Sequence, residues 1–254
     1  MAAAGGSGEA DPQVSSAPFP SAASLIADQS FPALAGQWAK DPAPQMLGFV
    51  WKAYDEMLTK PPHVDDRDLE RSITQLLEPR IRDAMTGDEP YYIQHGAFER
   101  ETMALPPAQP PQYDLAFVLR ADERIMWPLE AKVLETSGTL AEYEREIRDQ
   151  YLTCRYAPFT TSGAMLGYLL TGSAADTLTK ISAKLNTTLD QVADFPKRPH
   201  RASTHKRNAP ANKPYPIDFK CHHMILEYLS LRRHKRISEK RGREADTVDA
   251  AGPA

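Results

Sequence analysis

The apolar positions of the chain fall into two rhythms, and the change from one to the other divides it. In PQMLGFVWKAYDEMLT (44–59), Met46, Leu47, Val50, Tyr54, Met57 and Leu58 recur at three- and four-residue intervals, the spacing of one helix face. Lys60-Pro61-Pro62 then ends the pattern, because proline brings no N–H to a helix interior. A second helix is predicted from near Asp65, with Asp65 as N-cap and Asp68 near the positive helix end. Its buried stripe is Leu69, Ile73, Leu76, Leu77 and Ile81. Glu70 sits at the margin of that stripe, where a carboxylate needs either a hydrogen-bond partner near the helix start or a chemical role.

Beyond residue 90 the rhythm shortens. Residues 91–98 read as a first strand, and 106–111 as a loop too rich in proline for regular structure. YDLAFVLRA (113–121) and IMWPLEAKVL (125–134) are β-favouring runs linked at Asp122-Glu123, which predicts a hairpin. Pro128 then belongs at an edge, at a bulge or at the beginning of its strand. A helix is expected over 139–156, a buried strand over 162–172, and an amphipathic helix on Leu178, Ile181 and Leu185 over 173–186. After a polar, proline-containing stretch, IDFKCHHMILEYLSL (217–231) fits a strand or a short helix. This order predicts one mixed α/β domain over 41–234, a sheet flanked by helices. Residues 1–40, dominated by Ala, Gly, Ser and Pro, read as a flexible arm, and 235–254 as a disordered tail.

Composition narrows the function classes. Two cysteines, Cys154 and Cys221, exclude a disulfide framework and a four-thiolate zinc site. The first residues lack the basic end and apolar run of a secretory signal, and no stretch approaches the roughly 20 apolar residues of a membrane span, so a cytoplasmic protein without membrane contact is expected. There is no internal repeat, no glycine-rich phosphate loop and no Ser or Cys nucleophile in a recognisable setting. The net charge of −4 hides an asymmetry: residues 197–244 hold 14 of the 30 Lys and Arg but 4 of the 34 Asp and Glu. A segment of about +10 behind an acidic body suits a phosphate-bearing partner; a solvated tail fits the charge equally well.

Alternation along the second hairpin strand puts Glu130 and Lys132 on one side and Ala131 on the other, with Asp114 able to lie opposite on the neighbouring strand. Two carboxylates that close repel unless a cation holds them, and Mg²⁺ takes such oxygen ligands. A lysine beside them can orient the attacking water and offset phosphate charge. A rival triplet, Asp218-Phe219-Lys220, follows a basic, proline-broken stretch and no acid-bearing hairpin strand. Five of the seven histidines lie between His200 and His234, but Cys221-His222-His223 fits no zinc spacing. Cys221 and His223 should share a strand face, with His222 turned away, in structural or phosphate-contacting roles.

DRDLERSITQLL with Glu70, YDLAFVL with Asp114 and WPLEAKVL with Glu130 and Lys132 resemble the PD-(D/E)XK nuclease superfamily over residues 65–172. The resemblance implies a restriction-endonuclease-like fold and hydrolysis of phosphodiester bonds, in DNA first of all, with Mg²⁺ or Mn²⁺. It makes Asp114, Glu130 and the Ala131 carbonyl the metal ligands, Lys132 the catalytic lysine and Glu70 an extra acid from the first helix. Tyr113 stands where the family's name has proline. A following helix bearing Gln150 and Tyr156 is found in many members, and both side chains become candidates for touching substrate. Arg201, Lys206, Arg207, Arg232, Arg233 and Arg236 would hold nucleic acid. Stand-alone nucleases of this kind usually serve bacterial defence or restriction, and many act as dimers or with a partner subunit. The alternatives are a catalytically silent protein of the same fold that binds nucleic acid or a partner protein, and a different metal enzyme or interaction protein whose Glu-x-Lys is accidental.

Overall fold

The predicted hairpin forms, as part of a wider sheet. In the computed structural model, which describes residues 42–60, 68–102, 110–135 and 137–229, seven strands build one mixed sheet. They are β1 (Tyr91–His95), β2 (Leu115–Leu119), β3 (Met126–Leu134), β4 (Ser162–Leu169), β5 (Asp190–Gln191), β6 (His200–Lys206) and β7 (Asp218–Glu227), in the order β1-β2-β3-β4-β7-β6-β5. Helices α1 (Ala43–Thr59) and α2 (Leu69–Ala84) cover one face, and α3 (Ser137–Glu146) and α4 (Ala174–Leu185) the other. Alternation on β2 divides the core: Leu115, Phe117 and Leu119 pack with α1 and α2, Ala116 and Val118 with α3 and α4. Because both faces are covered, β2 and β4 are buried along their whole length. Among the described residues no helix is long and apolar enough to cross a membrane.

β3 changes partner midway. Met126–Leu129 pair antiparallel with β2, whereas Leu129–Leu134 pair parallel with β4. Pro128 therefore precedes the parallel ladder, where its missing N–H deprives β4 of nothing. From Leu129 onward the edge of β3 toward β2 has no backbone partner strand, and the sheet forks there.

Several local expectations need correction. Asp68, not Asp65, caps α2, its side chain accepting from Arg71 N at 3.2 Å; Asp65 lies outside the described residues. On α1, Leu58 is 48% exposed while Phe49, Trp51 and Ala53 are buried, because the helix packs on α2 as well as on the sheet. The first strand stops at His95, where Gly96 turns with φ +67°, and Phe98 rejoins only as an isolated bridge to Gln112. The polar, proline-containing stretch before residue 217 contains β6. Of the 217–231 run, Asp218–Glu227 form a strand.

The helix expected over 139–156 ends at Glu146 in a π-helical turn, Ile147–Tyr151, closed by Leu152 N donating to the Ile147 carbonyl at 2.9 Å. Tertiary contacts impose this turn. The Tyr151 hydroxyl donates to the Ala164 carbonyl at 3.0 Å, and its ring lies on Gly163, where a Cβ would come within 2.7 Å of the ring. Arg207 then holds the exit: its buried guanidinium donates to the carbonyls of Tyr151, Tyr156, Ala157 and Thr160.

Candidate active site

The fork in the sheet creates the site. Where β2 leaves β3, two acidic side chains take the backbone N–H groups that a strand would have bonded. Asp114, one residue before β2, accepts from Ala131 N at 2.7 Å, and Glu70 Oε2, from the first turn of α2, accepts from Val133 N at 3.0 Å. The Ala131 carbonyl faces the same edge as its N–H, as strand geometry requires. Lys132 Nζ meets Glu70 Oε1 at 3.1 Å and Glu130 Oε1 at 3.5 Å. The structure thus brings together all four side chains singled out in the sequence, Glu70, Asp114, Glu130 and Lys132.

Glu130 is the most constrained of them. It is 6% exposed, and its Oε2 is buried without a hydrogen-bond donor. Burial, then the neighbouring charge of Asp114, holds its carboxyl well above the ordinary range, against the pull of Lys132. Burial likewise raises Glu70 and Glu146, with Lys132 opposing in each case. For Lys132, burial alone would lower the pKa, but Glu130, Glu70, Asp114 and Glu146 together raise it. One ammonium faces four carboxyl groups, an imbalance that favours a further cation.

Asp114, Glu130 and the Ala131 carbonyl are hard oxygen donors of the kind a small divalent ion takes, and the donorless Glu130 oxygen is the position such an ion would satisfy. Among the described residues, however, no three or more His, Cys, Asp or Glu side chains stand ready as a metal cluster. Lys132 is bonded to two of the carboxylates, Glu70 and Glu130.

Glu146, the last residue of α3, was not distinguished in the sequence from Glu142 and Glu144 on the same helix; the charge of Lys132 acts on it, and the π turn begins at the next residue. Gln150 Oε1, on that turn, is a second buried acceptor without a donor. The Tyr156 hydroxyl donates to the Gln112 carbonyl at 2.7 Å, and its ring stands 4.7 Å from that of Tyr113. Tyr156 therefore borders the site, as a brace behind Asp114. The Asp114 carbonyl is held in turn by Gly96 N at 3.0 Å.

Other candidates lie elsewhere. Arg207 is a correction: it is 5% exposed and committed to four carbonyls, so it faces no ligand. Arg201 is level with Glu130 through Met165 and His223 but three strands away, roughly 14 Å at the usual strand spacing. Lys206 pairs on the surface with Asp218, which also removes the rival Asp218-Phe219-Lys220 triplet from the centre. Arg232, Arg233 and Arg236 lie outside the described residues. The histidines build the core: His200 Nε2 contacts His222 Nδ1 at 3.1 Å, and His223 lies between Tyr143 OH at 2.9 Å and Ser203 Oγ at 2.8 Å. Cys221 and His223 do face α3 and α4, with His222 on the opposite face beside Trp127.

A cleft of about 300 Å³ opens beside the acids, and its walls include Glu70, Arg71, His95, Gln112 and Asp114. His95 and Arg71 carried no motif in the sequence. No family model matches the chain, and neither a curated protein nor a solved structure does.

Proposed function

We propose that the chain is a metal-dependent nuclease of the PD-(D/E)XK type, hydrolysing phosphodiester bonds in DNA. The observation that carries this reading is the meeting of Asp114, Glu130, Lys132 and Glu70 at the fork of β3, with one Glu130 oxygen buried and lacking any donor. The mixed sheet with an acid-bearing hairpin and helices on both faces is compatible with a restriction-endonuclease-like core.

Asp114, Glu130 and the Ala131 carbonyl would hold Mg²⁺ or Mn²⁺. Such an ion, when bound, lowers the pKa of its water and stabilises charge on the phosphoryl oxygens. The chain's own groups do the rest. Lys132 has its ammonium locked in the charged state by the surrounding acids, so it serves as a donor that orients water and offsets phosphate charge, not as a base. Glu70 holds that ammonium from one side and the Val133 N–H from the other, fixing β3 where β2 no longer does. Burial of Glu130 makes its charged form costly in the absence of a counter-ion, which ties the state of the site to the presence of a cation.

The test is cleavage of supercoiled and linear DNA with Mg²⁺, with Mn²⁺ and with EDTA, for the wild type, Glu130→Gln and Lys132→Ala. Cutting should require the metal and vanish in both variants. A folded wild type that binds DNA and never cuts it with either metal would instead support a silent, binding-only protein.

A further inference from the structure

The described cations of the C-terminal third singled out in the sequence stand away from the site acids. Arg207 is buried, Lys206 is paired with Asp218, and Arg201 is three strands from Glu130. A polyanion reaching Glu70 and Asp114 must lie along other residues.

A second cleft adjoins the one beside those acids. His95, the last residue of β1, lines it and also lines a second cleft of about 520 Å³, whose walls include Arg82, Tyr92, Gln94 and Arg120. The two clefts adjoin at that residue, and a polymer lying in both would follow one path from the site acids along α2 and the edge of the sheet. β1 is the terminal strand on this side, and among the described residues no strand covers it. Three arginines line the path. Arg82 is paired with Glu78. Arg71 uses only its backbone N–H, on Asp68, and its guanidinium meets no partner among the described residues. Arg120 is held rigid: Nε donates to the Glu89 carbonyl at 3.1 Å and the guanidinium lies 5.5 Å from the Tyr92 ring centre. Its two terminal nitrogens meet no partner among the described residues.

The geometry points to this path as the track of a DNA strand, with phosphates held by Arg71 and Arg120 and the scissile bond at the fork of β3. Two guanidinium groups with terminal N–H groups to spare, beside a cleft lined by site acids, match an anionic polymer that reaches a bound cation, and Arg recognises phosphate through paired N–H groups. The five residues of β1 extend roughly 16 Å, the rise of about five nucleotides at 3.4 Å each. Contacts of this kind grip backbone and leave sequence unread. The scissile position rests on the nuclease reading; the track itself requires only that the chain binds nucleic acid.

Binding of a fluorescent single-stranded DNA to the full chain in EDTA, which prevents cutting, tests it across a salt series. Arg71→Ala/Arg120→Ala should weaken binding about tenfold or more and make the slope of log affinity against log salt shallower by about 1.4, two phosphate contacts at 0.7 each. Arg71→Ala alone, which breaks no intramolecular bond, should take half of that change. Arg201→Ala/Lys206→Ala should match the wild type. The track is overturned if the first pair is silent and the second is not, or if the wild type binds no strand. Normal track behaviour without cleavage in Mg²⁺ or Mn²⁺ would uphold the track and remove the nuclease reading.

Discussion

The Tyr113 hydroxyl donates to the carboxylate of Glu99, and the two side chains are 1% and 0% exposed. Glu99 also accepts from Glu101 N at 2.8 Å, and the same tyrosine oxygen accepts from Ala157 N at 3.1 Å. Tyr113 immediately precedes Asp114, and Ala157 follows the turn that carries Gln150. The pair thus ties the approach to one site acid to the segment that follows the π turn.

Tyr113→Phe strips Glu99 of a donor and Ala157 N of its acceptor. Each buried orphan costs about 1–3 kcal/mol, so the urea midpoint should fall with little change in slope. Replacing both partners, Tyr113→Phe with Glu99→Leu, should recover part of the loss, because no charged group is then left unpaired. An unmoved midpoint in the single variant would sink this account of the pair.

Arg207 separates a structural arginine from a ligand-binding one. Hydrogen bonds to a charged donor contribute about 1.5–3 kcal/mol each, and four carbonyls depend on this one. Arg207→Ala should lower stability by several kcal/mol, while Lys206→Ala, at an exposed ion pair, should stay near neutral. Comparable midpoints for the two variants would contradict the burial of Arg207.

The buried histidines predict acid sensitivity. Burial, reinforced by neighbouring imidazoles, pushes His200 down to about 2 and His223 to about 3. Below pH 6.5 the unfolded chain takes up protons that the folded one refuses, so stability falls with falling pH by roughly 1.4 kcal/mol per unit for each histidine. Glu70, Glu99 and Glu130 act oppositely, because their raised pKa values let the folded state bind protons first as pH falls toward 4.5. The histidine part is isolated by subtracting the curve of His223→Gln from that of the wild type. That difference should shrink as pH drops from 6.5; parallel curves would refute it.

The donorless Glu130 oxygen predicts a link between cation and stability. Mg²⁺ should raise the wild-type melting temperature, by about 2.7 kcal/mol in stability at a hundredfold excess over Kd. Glu130→Gln should be more stable than the wild type without metal and insensitive to Mg²⁺. An equal shift in both proteins would place the ion elsewhere.

What could be read from the residues depended on where the ordering contacts lie. The hairpin and the face shared by Glu130 and Lys132 follow from strand alternation, which is local. β6 was invisible because HRASTHK is polar; its Ser203 and His200 are buried by bonding His223 and His222 on the next strand. The π turn was missed for the same reason: the local residues favour helix, and the turn is imposed by Gly163 and by Arg207, 56 residues beyond Tyr151. Glu146 is set apart from Glu142 and Glu144 by the charge of Lys132, which the sequence pattern did not place beside it. Arg207 misled because sequence charge does not reveal burial.

Gly163 extends the reach of the site onto a strand that contributes no functional group to it. Its bare Cα is the floor on which the Tyr151 ring rests, so Gly163→Ala would lift the phenol from the Ala164 carbonyl and, through the backbone, displace Gln150 and Glu146 together. The arrangement of acids consequently depends on a side chain that is missing: any Cβ at this position would claim the space the Tyr151 ring occupies and recast the turn.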